Sequence, residues 1–150
     1  MLTNSYQEQE KLILQLNEIY RQMSPKFERC TGISQSRLEL LHKLMEVDEI
    51  NQTELRRQVN IDSAAVTRHL KQLDEKGVVS RRKNPEDNRV TFVKLTEAGR
   101  SKIERYCKEK ENFITQVFKG ITDQERAVLS DLLSRVESNV KDIEDEQPIE

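Results

Sequence analysis

Apolar residues recur at steps of three and four along most of this chain, which predicts a run of amphipathic helices. Leu12, Leu16, Ile19/Tyr20, Met23 and Phe27 trace one stripe between residues 5 and 29. Pro25 falls inside that stripe and predicts a kink or break near residues 23–24. Thr31 and Gly32 mark the end. Ser34 is placed to cap a second helix carrying Leu38, Leu41, Leu44, Met45 and Val47, which stops before Asp48. Asn51 and Glu54 have the spacing of a capping box, so a very short helix follows, with Leu55 and Val59 inward and its end at Asn60. Asp62 caps the next helix, where Val66, Leu70 and Leu73 share one face. At 100° per residue, Ala64, Arg68, Lys71 and Glu75 fall on the opposite face, flanked by Thr67 and Gln72.

The period then changes. Gly77 ends the helix, and residues 78–83 and 90–95 are β-prone runs around a turn-rich stretch, 84–89. A lone two-stranded hairpin is marginal in water, so this one must lean on the helices. Thr96 is placed to cap a further helix whose third position is Gly99, where the missing side chain allows close backbone packing. Ile103, Tyr106, Phe113/Ile114 and Val117 form its stripe, and Gly120 ends it. Thr122 and Glu125 form a capping box for the last helix, with Val128/Leu129, Leu132/Leu133, Val136, Val140 and Ile143 inward, before an acidic tail over 142–150.

At 150 residues the chain suits one domain, and equal shares of apolar and charged residues, 35% each, favour solvated helices. The core of a lone monomer would be thin, so helices of a second subunit are expected to complete it. The total charge of −2 argues against a nucleic-acid binder, but its distribution does not. Between Asn51 and Lys94 stand ten Lys/Arg against six Asp/Glu, a net +4, which leaves −6 for the rest. No segment is apolar enough to span a membrane, and the first residues lack the basic-then-apolar order of a signal peptide. Two cysteines, Cys30 and Cys107, make no disulfide framework, so a cytoplasmic chain with reduced thiols is expected.

A short helix, a tight turn and a second helix with small and basic residues outward fit a helix-turn-helix. Ser63 and Ala64 are small enough for close approach to base edges. Thr67 suits a thymine methyl or a phosphate, and Arg68 a guanine or a phosphate. Lys71 extends that face. Arg81, Arg82, Lys83 and Arg89 put four cations on or near the hairpin that follows. Here the motif becomes specific. Asp87 and Arg89, then Leu95, Thr96 and Gly99 at fixed spacing, resemble the wing signature of the MarR family of winged-helix transcription regulators. Val66-Thr67-Arg68, Leu73 and Lys76-Gly77-Val78-Val79 are similar to that family's recognition helix and its exit. Asn88 stands where many relatives carry a second Arg, which predicts a weaker grip at the wing tip.

The resemblance implies a mainly α fold with a small β-hairpin wing, in which 34–99 form the DNA-binding lobe and 1–31 and 100–146 the dimerisation helices. It implies that Arg89 enters the minor groove, oriented by Asp87. Asn51, Gln52 and Thr53 are expected to meet phosphate at the short helix's start, with Arg81, Arg82 and Lys83 adding backbone contacts. The partners implied are a palindromic duplex operator, a second copy of the chain, and a small aromatic or lipophilic effector that releases DNA, which makes the chain a ligand-responsive repressor.

Catalytic chemistry is not expected. His42 and His69 lie on separate helices, no cluster has zinc spacing, and neither a phosphate loop nor a nucleophile elbow is present, so no cofactor, metal or enzyme activity is expected. Cys30 and Cys107 are expected to be buried and structural, with redox sensing through Cys30 as one alternative. The other is a winged helix that binds acidic proteins. Ser63, Ala64 and Ala65 disfavour it, because a protein-binding face would present large anchors.

Overall fold

The computed structural model describes residues 3–143. Its elements run α1 (Asn4–Thr31), α2 (Gln35–Met45), β1 (Ile50–Asn51), α3 (Gln52–Gln58), α4 (Ser63–Glu75), β2 (Val79–Lys83), β3 (Thr91–Leu95), α5 (Glu97–Val117) and α6 (Asp123–Lys141). Short oxygen-bearing side chains start four of the helices. Thr3, Ser34, Asp62 and Thr122 each accept the backbone N–H three residues on, at 3.2–3.3 Å. At α6 the box is reciprocal, since Glu125 accepts the Thr122 N–H at 3.0 Å. The expected box at α3 is not formed in that way: Asn51 Oδ1 caps Thr53 N at 2.8 Å, while Glu54 reaches Arg57 and Gln58.

The chain divides into two compact units, with the boundary between Ile114 and Thr115. The first unit holds the core. Leu40, Leu41, Leu44, Leu55, Val66, Leu70 and Val93 are fully buried there, each contributing about 1.5–3 kcal/mol of transfer free energy. Phe27 of α1 meets Phe113 of α5 edge to face, with ring centroids 5.4 Å apart. Leu40 belongs to this core although the expected stripe omitted it, and Met45 is exposed although the stripe included it. On α5, Ile103, Tyr106 and Phe113 are buried but Ile114 and Val117 are not.

Two expectations are corrected here. The break expected at Pro25 is absent, since the first helix runs unbroken from Asn4 to Thr31. Pro25 removes one donor, but the turns after it are anchored by buried Phe27 and Thr31, whose hydroxyl hydrogen-bonds to the Phe27 and Ile33 carbonyls at 2.8 Å. The stripe of α6 is not inward: among the described residues none of its side chains is buried. Its periodicity is real, but this single chain does not cover it. Asp142 closes α6, and 144–150 of the expected acidic tail lie outside the described residues.

The hairpin is part of a three-stranded antiparallel sheet in the order β1-β3-β2. Lys83 faces Thr91 and Val79 faces Leu95 along the hairpin, while Ile50 and Asn51 pair with Val93 and Phe92. β1, a strand of two residues, carries no period for a sequence to reveal. It shows how the hairpin leans on the helices, because it leads directly into α3. The Arg82 guanidinium spans the same sheet, stacked 4.7 Å from the Phe92 ring centre and doubly bonded to Glu49 at 2.7 and 3.0 Å. The hydrogen bond from Arg82 is the main reason the Glu49 carboxyl titrates below its ordinary value.

Candidate nucleic-acid interface

α3, the turn after it and α4 form the helix-turn-helix. Val66, Leu70 and Leu73 are buried on one face of α4, which leaves Ser63, Ala64, Thr67, Arg68 and Lys71 exposed on the other. Gly77 adopts φ +72° just past the helix. Its N–H bonds the Asp74 carbonyl and that of Val78 bonds the Leu73 carbonyl, at 3.0 and 2.9 Å, a Schellman ending that turns the chain into the wing. Among the described residues Arg68 and Lys71 make no ion pair, so their charge is free to meet an anion.

At the wing tip, Asp87 organises Arg89. The Asp87 Oδ1 atom accepts both the backbone N–H and the Nε–H of Arg89, each at 3.1 Å. The Arg89 side chain is nonetheless 91% exposed, so it projects with its root fixed. The tip is closed by Asn84 N–H to the Val90 carbonyl at 2.8 Å and Val90 N–H to the Asp87 carbonyl at 3.0 Å. Lys83 is exposed. Unlike Lys83, Arg81 and Arg82 are paired with carboxylates outside the wing tip: Asp74 holds Arg81 at 3.0 Å and Glu49 holds Arg82. A cleft of about 270 Å³ beside the wing is lined by Asp74, Arg81, Arg82, Lys83 and Thr91.

At the base of the wing, Thr96 ties the hairpin to α5. Its hydroxyl lies 2.6 Å from the Gly77 carbonyl and 3.1 Å from that of Val78, and it caps Gly99 N–H at 3.0 Å. At the start of α3, the cap Asn51 and Gln52 are half-buried and Thr53 is exposed, while the Gln52 amide oxygen is buried without a partner among the described residues. Sequence reasoning missed Arg56, which donates to Thr53 and Thr67. Its place three residues after Thr53 was visible, but a seven-residue helix is too short for a facing pattern.

His69 joins α4 to α2, with Nε2 3.0 Å from Ser36 Oγ and Nδ1 buried without a partner. Burial lowers its pKa from the ordinary 6.5, the Arg37 and Arg68 charges add to that, and Glu28 opposes them. A folded-state imidazole that resists protonation costs stability once the unfolded chain takes up the proton. Folding stability is therefore expected to be level above the ordinary value of 6.5 and to fall as pH drops from there towards the lowered value. Urea midpoints of the parent and of His69→Gln across that range check this. An identical pH slope in both would contradict it.

Cys30 is exposed, which corrects the expectation that it is buried; it shares a turn of α1 with buried Phe27 and Thr31 but lies off the face they bury. Cys107 is half-buried, with its sulfur 3.9 Å from His42 Nε2. Among the described residues no His, Cys, Asp or Glu group is arranged to hold a metal, and no helix is long and apolar enough to cross a membrane.

Residues 33–91 match the model of the MarR family. The uncharacterized HTH-type transcriptional regulator YdgJ of Bacillus subtilis is 51% identical over 96% of this chain and 88% of its own length. The HTH-type transcriptional repressor YetL of the same organism is 28% identical, over 84% of this chain and 81% of its own. A mutant MarR of E. coli, solved in complex with operator DNA, superposes with a TM-score of 0.68 at 25% identity, over 89% of this chain and 99% of that one.

Proposed function

This chain belongs to the MarR family of winged-helix transcription regulators, and on that premise we propose that it binds a near-palindromic operator as a homodimer and acts as a ligand-responsive repressor. The observation that carries the reading is the outward face of α4 beside the tethered wing-tip Arg89. Ser63, Ala64, Thr67, Arg68 and Lys71 enter the major groove, and Arg89, held by Asp87, enters the adjacent minor groove. Asn51, Gln52 and Thr53 border the backbone. Lys83 adds a phosphate contact, while Arg81 and Arg82 reach DNA only by sharing or leaving Asp74 and Glu49. The absence of any large apolar side chain among those α4 positions favours a groove over an acidic protein partner.

Exposed apolar side chains support the second copy. Leu12, Leu14, Ile19 and Tyr20 stand out on α1, and Val128, Leu132 and Val140 on α6. So many are rare on a stable monomer. The helices that pair are then α1, α5 and α6. Pairing sets two reading helices about 34–36 Å apart, one DNA turn. Sedimentation should give a dimer and two chains per operator duplex, and Leu132→Glu should give monomers that bind DNA weakly. A monomeric parent that binds with full affinity would contradict the reading.

For the effector, a cavity of about 260 Å³ is lined by Phe27, Gln35, Leu38, Glu39, His42 and Lys110. Phe27 and Leu38 suit a small aromatic or lipophilic ligand, with Lys110 set against Glu39 among the polar groups, and such a ligand releases DNA by favouring a different spacing of the two lobes. Nothing in this reading gives the chain a catalytic role.

A further inference from the structure

The notable feature of the reading helix is how Thr67 spends its hydroxyl. Oγ1 donates its one proton to the Ser63 carbonyl at 3.1 Å. The same oxygen accepts from Arg56 Nη1 at 3.4 Å, and Arg56 Nη2 donates to Thr53 Oγ1 at 3.2 Å. Arg56 thus links α3 to α4 and holds the Thr67 oxygen on the side of the helix-turn-helix seam. Phosphate oxygens only accept hydrogen bonds. A hydroxyl whose proton is already placed has nothing to donate to them. The part of exposed Thr67 that these bonds leave unengaged is its methyl group.

The geometry points to Thr67 as the reader of a thymine C5-methyl in each half-site, with Arg56 as the positioning residue that fixes its orientation. This inference rests on α4 being the groove-entering helix. It also decides between two uses of Thr67 that its residue type leaves open, a base contact and a phosphate contact. The T methyl is the one apolar group on a base edge in the major groove, and apolar side-chain groups pack against it. Two of the five N–H donors of Arg56 are engaged with threonines, so the rest remain for the adjacent backbone. The guanidinium therefore keeps a reason to stay at the seam when DNA is bound.

The test uses the full-length protein and a duplex it selects from a random library. Each thymine is replaced in turn by deoxyuridine, which removes only the C5-methyl. The parent should lose about fourfold in affinity per half-site at one symmetric thymine position, roughly fifteenfold when both half-sites are changed. Thr67→Val loses the hydroxyl but carries a methyl on both branches of Cβ, so one occupies the place of the threonine methyl without help from Arg56, and the thymine-over-uracil ratio should be kept. Thr67→Ser keeps the hydroxyl and loses the methyl, and should bring the ratio close to one. Arg56→Met should shrink the ratio with the melting temperature nearly unchanged, which a merely structural role would not do. A ratio of one in the parent, or an undiminished ratio in Thr67→Ser, overturns the inference. If no duplex is selected at all, the regulator reading itself fails and this inference with it. If an operator is selected but no thymine methyl matters, only this inference fails.

Discussion

Replacing Arg89 by alanine is expected to weaken operator binding by about 1–3 kcal/mol per half-site and to lower the salt slope by about two for the dimer. The side chain is 91% exposed and its one ion pair among the described residues is with Asp87 at the same turn. Folding should therefore be almost untouched, within about 0.5 kcal/mol, and the loss reads binding alone. A narrow minor groove concentrates negative potential, so a guanidinium held at its mouth gains more there than on an open phosphate. On the proposed reading, Asp87 contributes by fixing both the backbone and the Nε of Arg89 in the DNA-free chain. Asp87→Ala should weaken binding by less, with the salt slope not reduced, because no cation leaves the interface. Binding titrations from low to moderate salt on the three proteins check this. An unchanged slope in Arg89→Ala would contradict the placement of the wing tip.

Gly99→Ala is expected to be the most damaging small change, costing about 3 kcal/mol or more. A Cβ at that position would lie 2.1 Å from the Val78 carbonyl oxygen and 3.0 Å from its carbon. That carbonyl cannot retreat easily. It accepts both the N–H and the hydroxyl of Thr96 at 3.1 Å, and the Val78 side chain is buried at 1%. The strand exit and the first turn of α5 are thus locked backbone to backbone, and this lock sets where the wing leaves the body of the lobe. Gly120→Ala is the useful contrast. Nothing lies within 4 Å of its Cβ, and only its φ of +80° opposes a side chain, which costs about 1–2 kcal/mol. Urea unfolding of the two variants separates the cases; equal, small losses would contradict the lock.

Most of this architecture was legible because it rests on local rules. Ser34, Asp62 and Thr122 cap the helices they were expected to cap, and Gly32, Gly77 and Gly120 end helices with positive φ. Gly99 sits against backbone as its place in the wing motif suggested. The tether between Asp87 and Arg89 is the one the family resemblance implied, and it spans two residues of a turn. What stayed hidden depends on distant partners. β1 needs the register Ile50–Val93, which no pattern in two residues carries. Arg81 and Arg82 read as free cations because Asp74 and Glu49 lie 7 and 33 residues away. Arg56 reaches Thr67 across a turn between helices. The α6 stripe marked an apolar face correctly, but periodicity cannot say which chain covers it.

The most direct measurement is selection of bound duplexes from a random library at moderate salt, followed by sequencing. The expected result is an enriched near-palindrome whose half-site centres lie about ten base pairs apart. Weak, salt-sensitive binding with no enriched sequence would contradict a dimeric, sequence-specific regulator.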